Sequence, residues 1–169
     1  MTILQAIIIA IVEGLTEFLP VSSTGHMIIA SSLLGIASND FTKLFEVAIQ
    51  LGAILAVVVL YWKKFFDFSR WQFYMKLIIG VIPALLLGFL FSDKIDRLLE
   101  SPTTVAITTF IGGIILVFVD KWFLNPKIQS DSQISYRKSF LIGCWQVIAM
   151  IPGTSRSAAS IIGGMQQKL

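Results

Sequence analysis

The apolar positions fall into five blocks along the chain, and two of the five are broken near their middles. Phe45–Trp62, Met75–Phe91 and Val105–Val119 are continuous. They are long enough, or nearly so, to cross about 30 Å of hydrocarbon as helices. Pro83 in the second predicts a kink, and Gly112-Gly113 in the third predicts close helix packing. The other two blocks, Ile3–Leu34 and Phe140–Met165, carry polar interruptions around Pro20 and at Pro152–Ser157. Their apolar arms, roughly ten to fourteen residues each, are too short to span and suit re-entrant hairpins. Non-helical backbone at that depth survives only where it is buried in protein or lines a wet cavity. The predicted fold is an all-α integral membrane protein in a single domain, 1–169. It has transmembrane helices over 45–62, 75–91 and 105–119 and re-entrant helical hairpins over 1–36 and 140–165.

Composition agrees: mean hydropathy is +0.83, with 56% hydrophobic and 14% charged residues. The net charge of +3 is read as loop charge that orients a membrane protein, with no nucleic-acid partner. Cys144 is alone, so the chain has no internal disulfide. The start, M-T-I-L-Q, lacks a basic n-region, and no cleavable signal peptide is expected. Loops Lys63–Tyr74 and Asp120–Lys138 are rich in Lys and Arg. Loop Ser92–Thr104 sets Lys94 and Arg97 against Asp93, Asp96 and Glu100, and loop Ala37–Leu44 has only Lys43. The basic pair is therefore expected in the cytoplasm and the other two outside.

Three spans separate the hairpins, so the second should enter from the opposite face. L-P-V-S-S at Leu19–Ser23 and I-P-G-T-S at Ile151–Ser155 match weakly. Together these predict an inverted-topology repeat with the hairpins facing each other near mid-membrane. If each unit is a hairpin plus three spans, the second unit is incomplete at Leu169. A complete pair needs roughly 260 residues, so about three further spans are expected.

The polar interruptions carry the candidate chemistry. Glu13 and Glu17 lie four apart, on one face of a helix. Intramembrane acids are costly and mark function by default. Such a pair needs a shared proton, water or a cation, and a hard divalent ion, Mg²⁺ or Ca²⁺, accepts such oxygens. Ser22, Ser23 and Thr24 offer hydroxyls as nucleophile or donors, and His26 an acid, base or nucleophile. In the second hairpin, Thr154, Ser155, Arg156 and Ser157 stand where a helix begins. A helix N-terminus suits phosphate, and Arg can grip two phosphate oxygens. Serine and threonine are also ordinary helix caps, and an arginine there can snorkel to headgroups. Glu46 and Gln50, within the first span, read as packing or supporting groups. The whole set suits phosphoryl chemistry on an anionic lipid headgroup, with metal and arginine offsetting phosphate charge.

At these motifs, E-G-L-T-E-F-L-P-V-S-S-T-G-H-M and P-G-T-S-R-S, the chain resembles the undecaprenyl-diphosphatase (bacitracin-resistance) family of bacteria. F-E-V-A-I-Q-L-G-A-I-L-A-V at Phe45–Val57 is similar to the stretch between them. The resemblance implies hydrolysis of undecaprenyl diphosphate to the monophosphate and inorganic phosphate. That recycles the lipid carrier for the cell wall and confers bacitracin resistance. It further implies a multi-pass protein of the bacterial plasma membrane, divalent-metal dependence, a site open to the outer face, and an inverted-repeat fold. The family's functional residues fall on Glu13, Glu17, Ser23, His26, Ser155 and Arg156, with Ser22, Thr24 and Ser157 beside them. Ser160 stands where members often have threonine and keeps the hydroxyl.

Ser23 is the first choice as nucleophile with His26 as its proton-transfer partner; His26 itself, or water, serves equally well on sequence grounds. The expected partners are a polyprenyl diphosphate lipid and membrane lipid, with a homodimer as an option. The alternative function is a transporter or flippase of a lipid phosphate, an architecture built from the same broken hairpins. A type-2 phosphatidic-acid phosphatase is disfavoured because that family needs a second histidine motif and His26 is the single histidine.

Overall fold

In the computed structural model the described residues are 1–99, 101–123, 126–128 and 130–169, and the side chains at 96, 97 and 99 fall outside them. Asp96, Arg97 and Glu100 of the expected external loop thus lie outside the described side chains. Among the described residues every regular element is helical. These are α1 (Ile3–Thr16), α2 (Ser23–Leu33), α3 (Asp40–Leu60), α4 (Trp62–Phe65), α5 (Trp71–Leu99), α6 (Pro102–Trp122), α7 (Tyr136–Ile148) and α8 (Arg156–Gln166).

Three helices are long and apolar enough to cross a membrane: α3, Phe68–Ile95 within the α5 region, and α6. Their outer faces are bare; Val59, Leu60, Phe89 and Leu90 are each more than two-thirds exposed. So much exposed apolar surface is a liability in water and is what lipid covers. The chain is a membrane protein.

Local chemistry sets the helix ends. Thr2 and Gln5 form a reciprocal capping box on α1. Asn39 caps α3 by accepting from Phe41 N and Thr42 N, and Ser101 caps α6, with Pro102 opening it. Several expectations need correction. Lys63–Tyr74 is not an open loop: α4, a 3-10 turn at Phe68–Arg70 and the first turn of α5 occupy it. Ser92–Leu99 is likewise the last part of α5 rather than loop. Long polar ends extend both helices past the apolar stretch, because Lys, Arg, Asp and Glu tolerate helix once water is available. Pro83 sits inside α5, which is assigned as one helix on both sides of it. Gly112 and Gly113 do not mediate close packing: a Cβ at either would meet nothing within 4 Å.

Two helical hairpins form as the breaks demand. α1 packs on α2, and α7 on α8 and along α5. The α5–α7 seam is close because small residues meet there: a Cβ at Gly143 would strike the carbonyl of Gly80. Arg70 pairs with Asp131 at 3.1 Å, and Lys76 Nζ donates to the Asp131 carbonyl at 2.8 Å. These contacts hold the two basic segments at one end of the bundle.

Candidate functional site

Each hairpin turns over through a short non-helical stretch that ends in a serine cap. Ser22 caps α2 by accepting from Gly25 N at 3.3 Å, and Ser155 caps α8 by accepting from Ala158 N at 3.2 Å. Ser22 does so from the left-handed region, φ 65°, a conformation that costs a non-glycine residue roughly 1–2 kcal/mol. The cap leaves Ser23 and Arg156 as the first residues of their helices, where unpaired N–H groups and the positive dipole end favour an anion.

The tips of the two hairpins touch, and α6 clasps them. Thr108 donates to the Pro152 carbonyl and Thr109 to the Gly153 carbonyl at 3.1 Å. Ser157 donates across to the Leu19 carbonyl at 3.4 Å. Gly25 lies against Gly153, so that a Cβ on Gly25 would stand 3.3 Å from the Gly153 Cα and 2.7 Å from Thr109 Oγ1. Gly153 itself has φ 85° and is walled in by Thr108, Thr109 and the Val105 carbonyl. Thr108 and Thr109 are absent from the expected site; their adjacency in an apolar span was the available signal.

Around that contact lies a cavity of about 620 Å³. Glu17, Ser22, Ser23 and Thr24 line it from the first hairpin and Thr154, Ser155, Arg156 and Ser157 from the second. Ser23 donates to the Glu17 carboxylate. Ser155 and Ser157 hydroxyls lie 2.9 Å apart. Gln50 of α3 also lines the cavity, its Nε2 donating to Thr24 Oγ1 at 3.5 Å. Gln50, expected as a packing or supporting group, is thus part of the cavity wall.

Two residues stand apart from the cavity wall. His26 turns its Nδ1 to the Ser22 carbonyl at 2.8 Å and lines a second, largely apolar cavity of about 290 Å³, together with Gly112, Gly113 and Trp145. Glu17, Ser23 and Arg156 thus share one cavity, and His26 lines the other. Glu13 is buried, 2% exposed, within electrostatic reach of Glu17 and Glu46.

Both Glu13 oxygens and Glu46 Oε1 are buried without a hydrogen-bond donor among the described residues. Orphaned carboxylate oxygens beside Glu17 are donors of the kind a hard divalent cation takes, with water and phosphate filling the remaining positions. Among the described residues no group of three or more His, Cys, Asp or Glu forms a metal-ligand set. The fit is thus to an ion held by a carboxylate pair.

The profile of the family described as bacitracin resistance protein BacA matches residues 6–169. The chain belongs to this BacA family. Among curated relatives it is 64% identical to an undecaprenyl-diphosphatase of Flavobacterium psychrophilum, covering 100% of this chain and 63% of that protein. It is 62% identical to the undecaprenyl-diphosphatase of Flavobacterium johnsoniae, again over 100% of this chain and 63% of the relative. It is 50% identical to that of Bdellovibrio bacteriovorus, over 98% of this chain and 63% of the relative. The chain thus spans a little under two thirds of the length of these curated relatives.

Proposed function

We propose that this chain carries the catalytic hairpins of an undecaprenyl-diphosphate phosphatase, which yields undecaprenyl phosphate and inorganic phosphate. The observation that carries the reading is the meeting of the hairpin tips, which sets Glu17 and Ser23 in one cavity with Arg156. The relatives named undecaprenyl-diphosphatase support the same substrate.

Ser23 is the nucleophile in this mechanism. Its hydrogen bond to Glu17 makes that carboxylate, rather than His26, the group positioned to take the proton. Ser23 Oγ bonds to the terminal phosphorus and the bridging P–O bond breaks. Undecaprenyl phosphate departs, and the serine proton passes to Glu17 and then to water. Water next cleaves the Ser–O–P linkage, returning the hydroxyl and releasing inorganic phosphate. Arg156 grips phosphate oxygens as a fork. The start of α8 and the hydroxyls of Ser155 and Ser157 add donors where charge builds. Glu13 and Glu17 would hold a Mg²⁺ or Ca²⁺ ion, which supplies charge neutralisation at the phosphates. His26, fixed by the Ser22 carbonyl, holds the α2 turn that presents Ser23.

The finer architecture belongs to the same proposal. The hairpins are re-entrant, related as an inverted repeat, in the bacterial plasma membrane, with the cavity open to its outer face. Recycling of the lipid carrier for the cell wall and resistance to bacitracin follow from the activity. The test is release of inorganic phosphate from undecaprenyl diphosphate by purified protein in detergent, without a membrane gradient. Trapping of phosphate on Ser23 would establish the nucleophile. A lipid-phosphate transporter would move substrate across vesicles and release no phosphate, and that outcome would sink the hydrolase.

A further inference from the structure

The polar cavity has a second wall that phosphate chemistry leaves unused. Along α3, Glu46, Gln50 and Ile54 follow one another at four-residue intervals, on one helix face. That face grades from acid to amide to hydrocarbon. Gln50 and Ile54 line the cavity, and Val81, Ala84 and Leu85 of α5 line it opposite. α3 packs against the first hairpin, whereas α5 packs on α6 and α7, so the cavity lies between helices anchored to different parts of the bundle. Ile54, Val81 and Leu85 are also 53%, 42% and 66% exposed. Their apolar surface is open at the edge of the cavity.

A cavity lined by a cation and several hydroxyls from the hairpins and by an apolar wall from α3 and α5 has the polarity of an amphiphile. Its volume of about 620 Å³ leaves room for a chain segment beyond the headgroup. We infer that the α3–α5 wall, Ile54 with Val81 and Leu85, seats the first isoprene units of a polyprenyl diphosphate. Its tail then passes between α3 and α5 into the bilayer, with the Gln50 amide at the junction of phosphate and hydrocarbon. This rests on the phosphatase reading for the identity of the headgroup. The apolar cavity beside His26 is the competing seat. It lies across the Gly153–Ser155 segment from the carboxylates, and Ile54, Val81 and Leu85 do not line it.

The test has a binding arm and a kinetic arm. In the first, a farnesyl-length diphosphate carries a diazirine on the isoprene next to the phosphates. It is photolysed with the purified protein, with unlabelled undecaprenyl diphosphate as competitor. Competed labelling is expected on α3 near Ile54 and on α5 between Val81 and Leu85. Labelling centred on Gly112 or Trp145 overturns the inference. In the second arm, Ile54→Trp and Leu85→Trp are expected to raise KM for the long-chain diphosphate about tenfold. The effect on a five-carbon isoprenyl diphosphate should be smaller by about fivefold or more. Leu85→Asn, similar in volume and placed at an exposed site, repeats the measurement if the tryptophans disturb folding. Equal effects on the two substrates, or none on either, overturn the inference. If wild-type protein releases phosphate from neither substrate while the probe still labels α3 and α5, the hydrolase reading fails and the tail seat stands.

Discussion

Replacing Gly153 by alanine tests the contact on which the site depends. The residue has φ 85°, and an L-residue held there costs about 1–2 kcal/mol. The new Cβ would also fall on the Thr108 hydroxyl, 2.5 Å from the Val105 carbonyl and 2.8 Å from Thr109 Oγ1. A threonine can rotate, but the Val105 carbonyl is helix backbone and cannot, so packed atoms must shift at about 1–3 kcal/mol. Together these give a loss of about 2–5 kcal/mol in stability. Displacing the turn also pulls at the bonds from Thr108 to Pro152 and from Thr109 to Gly153, so Arg156 moves away from Ser23. Gly112→Ala is the matched control. Its Cβ meets nothing within 4 Å, and alanine favours helix over glycine by up to about 1 kcal/mol. Unfolding of the purified protein in detergent micelles, followed by circular dichroism, would measure both variants, with phosphate release assayed in parallel. A Gly153→Ala loss below about 1 kcal/mol, or equal losses for the two glycines, would refute the reasoning.

Other outcomes follow from the same geometry. Arg156→Ala should lower phosphate release about 10²–10³-fold. Arg156→Lys should recover only part of it, because a point charge cannot replace the fork; full recovery would show that charge alone suffices. Ser23→Ala and Glu17→Gln should each cost about 10³-fold or more in kcat, and the double variant little more than either, since the pair acts as a unit; additive losses would separate them. Arg70→Ala should change stability by no more than about 1 kcal/mol, because its pair with Asp131 is 41% and 45% exposed; a larger loss in the melting measurement would contradict that reading.

Much of the fold was legible because hydrocarbon imposes a length on apolar runs. The three spans appear where Phe45–Trp62, Met75–Phe91 and Val105–Val119 placed them, each extended by polar turns that hydropathy does not register. The two breaks were visible because Pro20, Pro152 and the hydroxyls around them interrupt otherwise apolar stretches. Within the site, Glu17, Ser23 and Arg156 could be nominated because polar groups are rare at membrane depth. Which cavity each side chain enters was not legible. His26 sits one turn from Ser22 and its ring is captured by that carbonyl, a choice between two faces of α2 that spacing leaves open. Gly112 and Gly113 carried a packing signal common in membrane helices, yet their surroundings depend on neighbours that a single helix's sequence does not specify. Gln50 looked like a buried amide in a span, and only the position of Thr24 reveals that it borders the cavity.

The contact between Gly25 and Gly153 also sets an order of events during synthesis. Chains are made from the N-terminus and fold progressively, so the first hairpin enters the bilayer long before Gly153 or Arg156 exists. Throughout that interval Glu13 and Glu17 lack the second hairpin whose tip closes the cavity around Glu17, and an acid at the centre of a membrane helix costs about 2.5–3.5 kcal/mol. The nascent hairpin is therefore least stable just after it emerges and is secured only when the second one docks. Slowing translation between Trp122 and Tyr136 would lengthen that exposed state, and quality-control proteases would meet the protein at this point rather than after release.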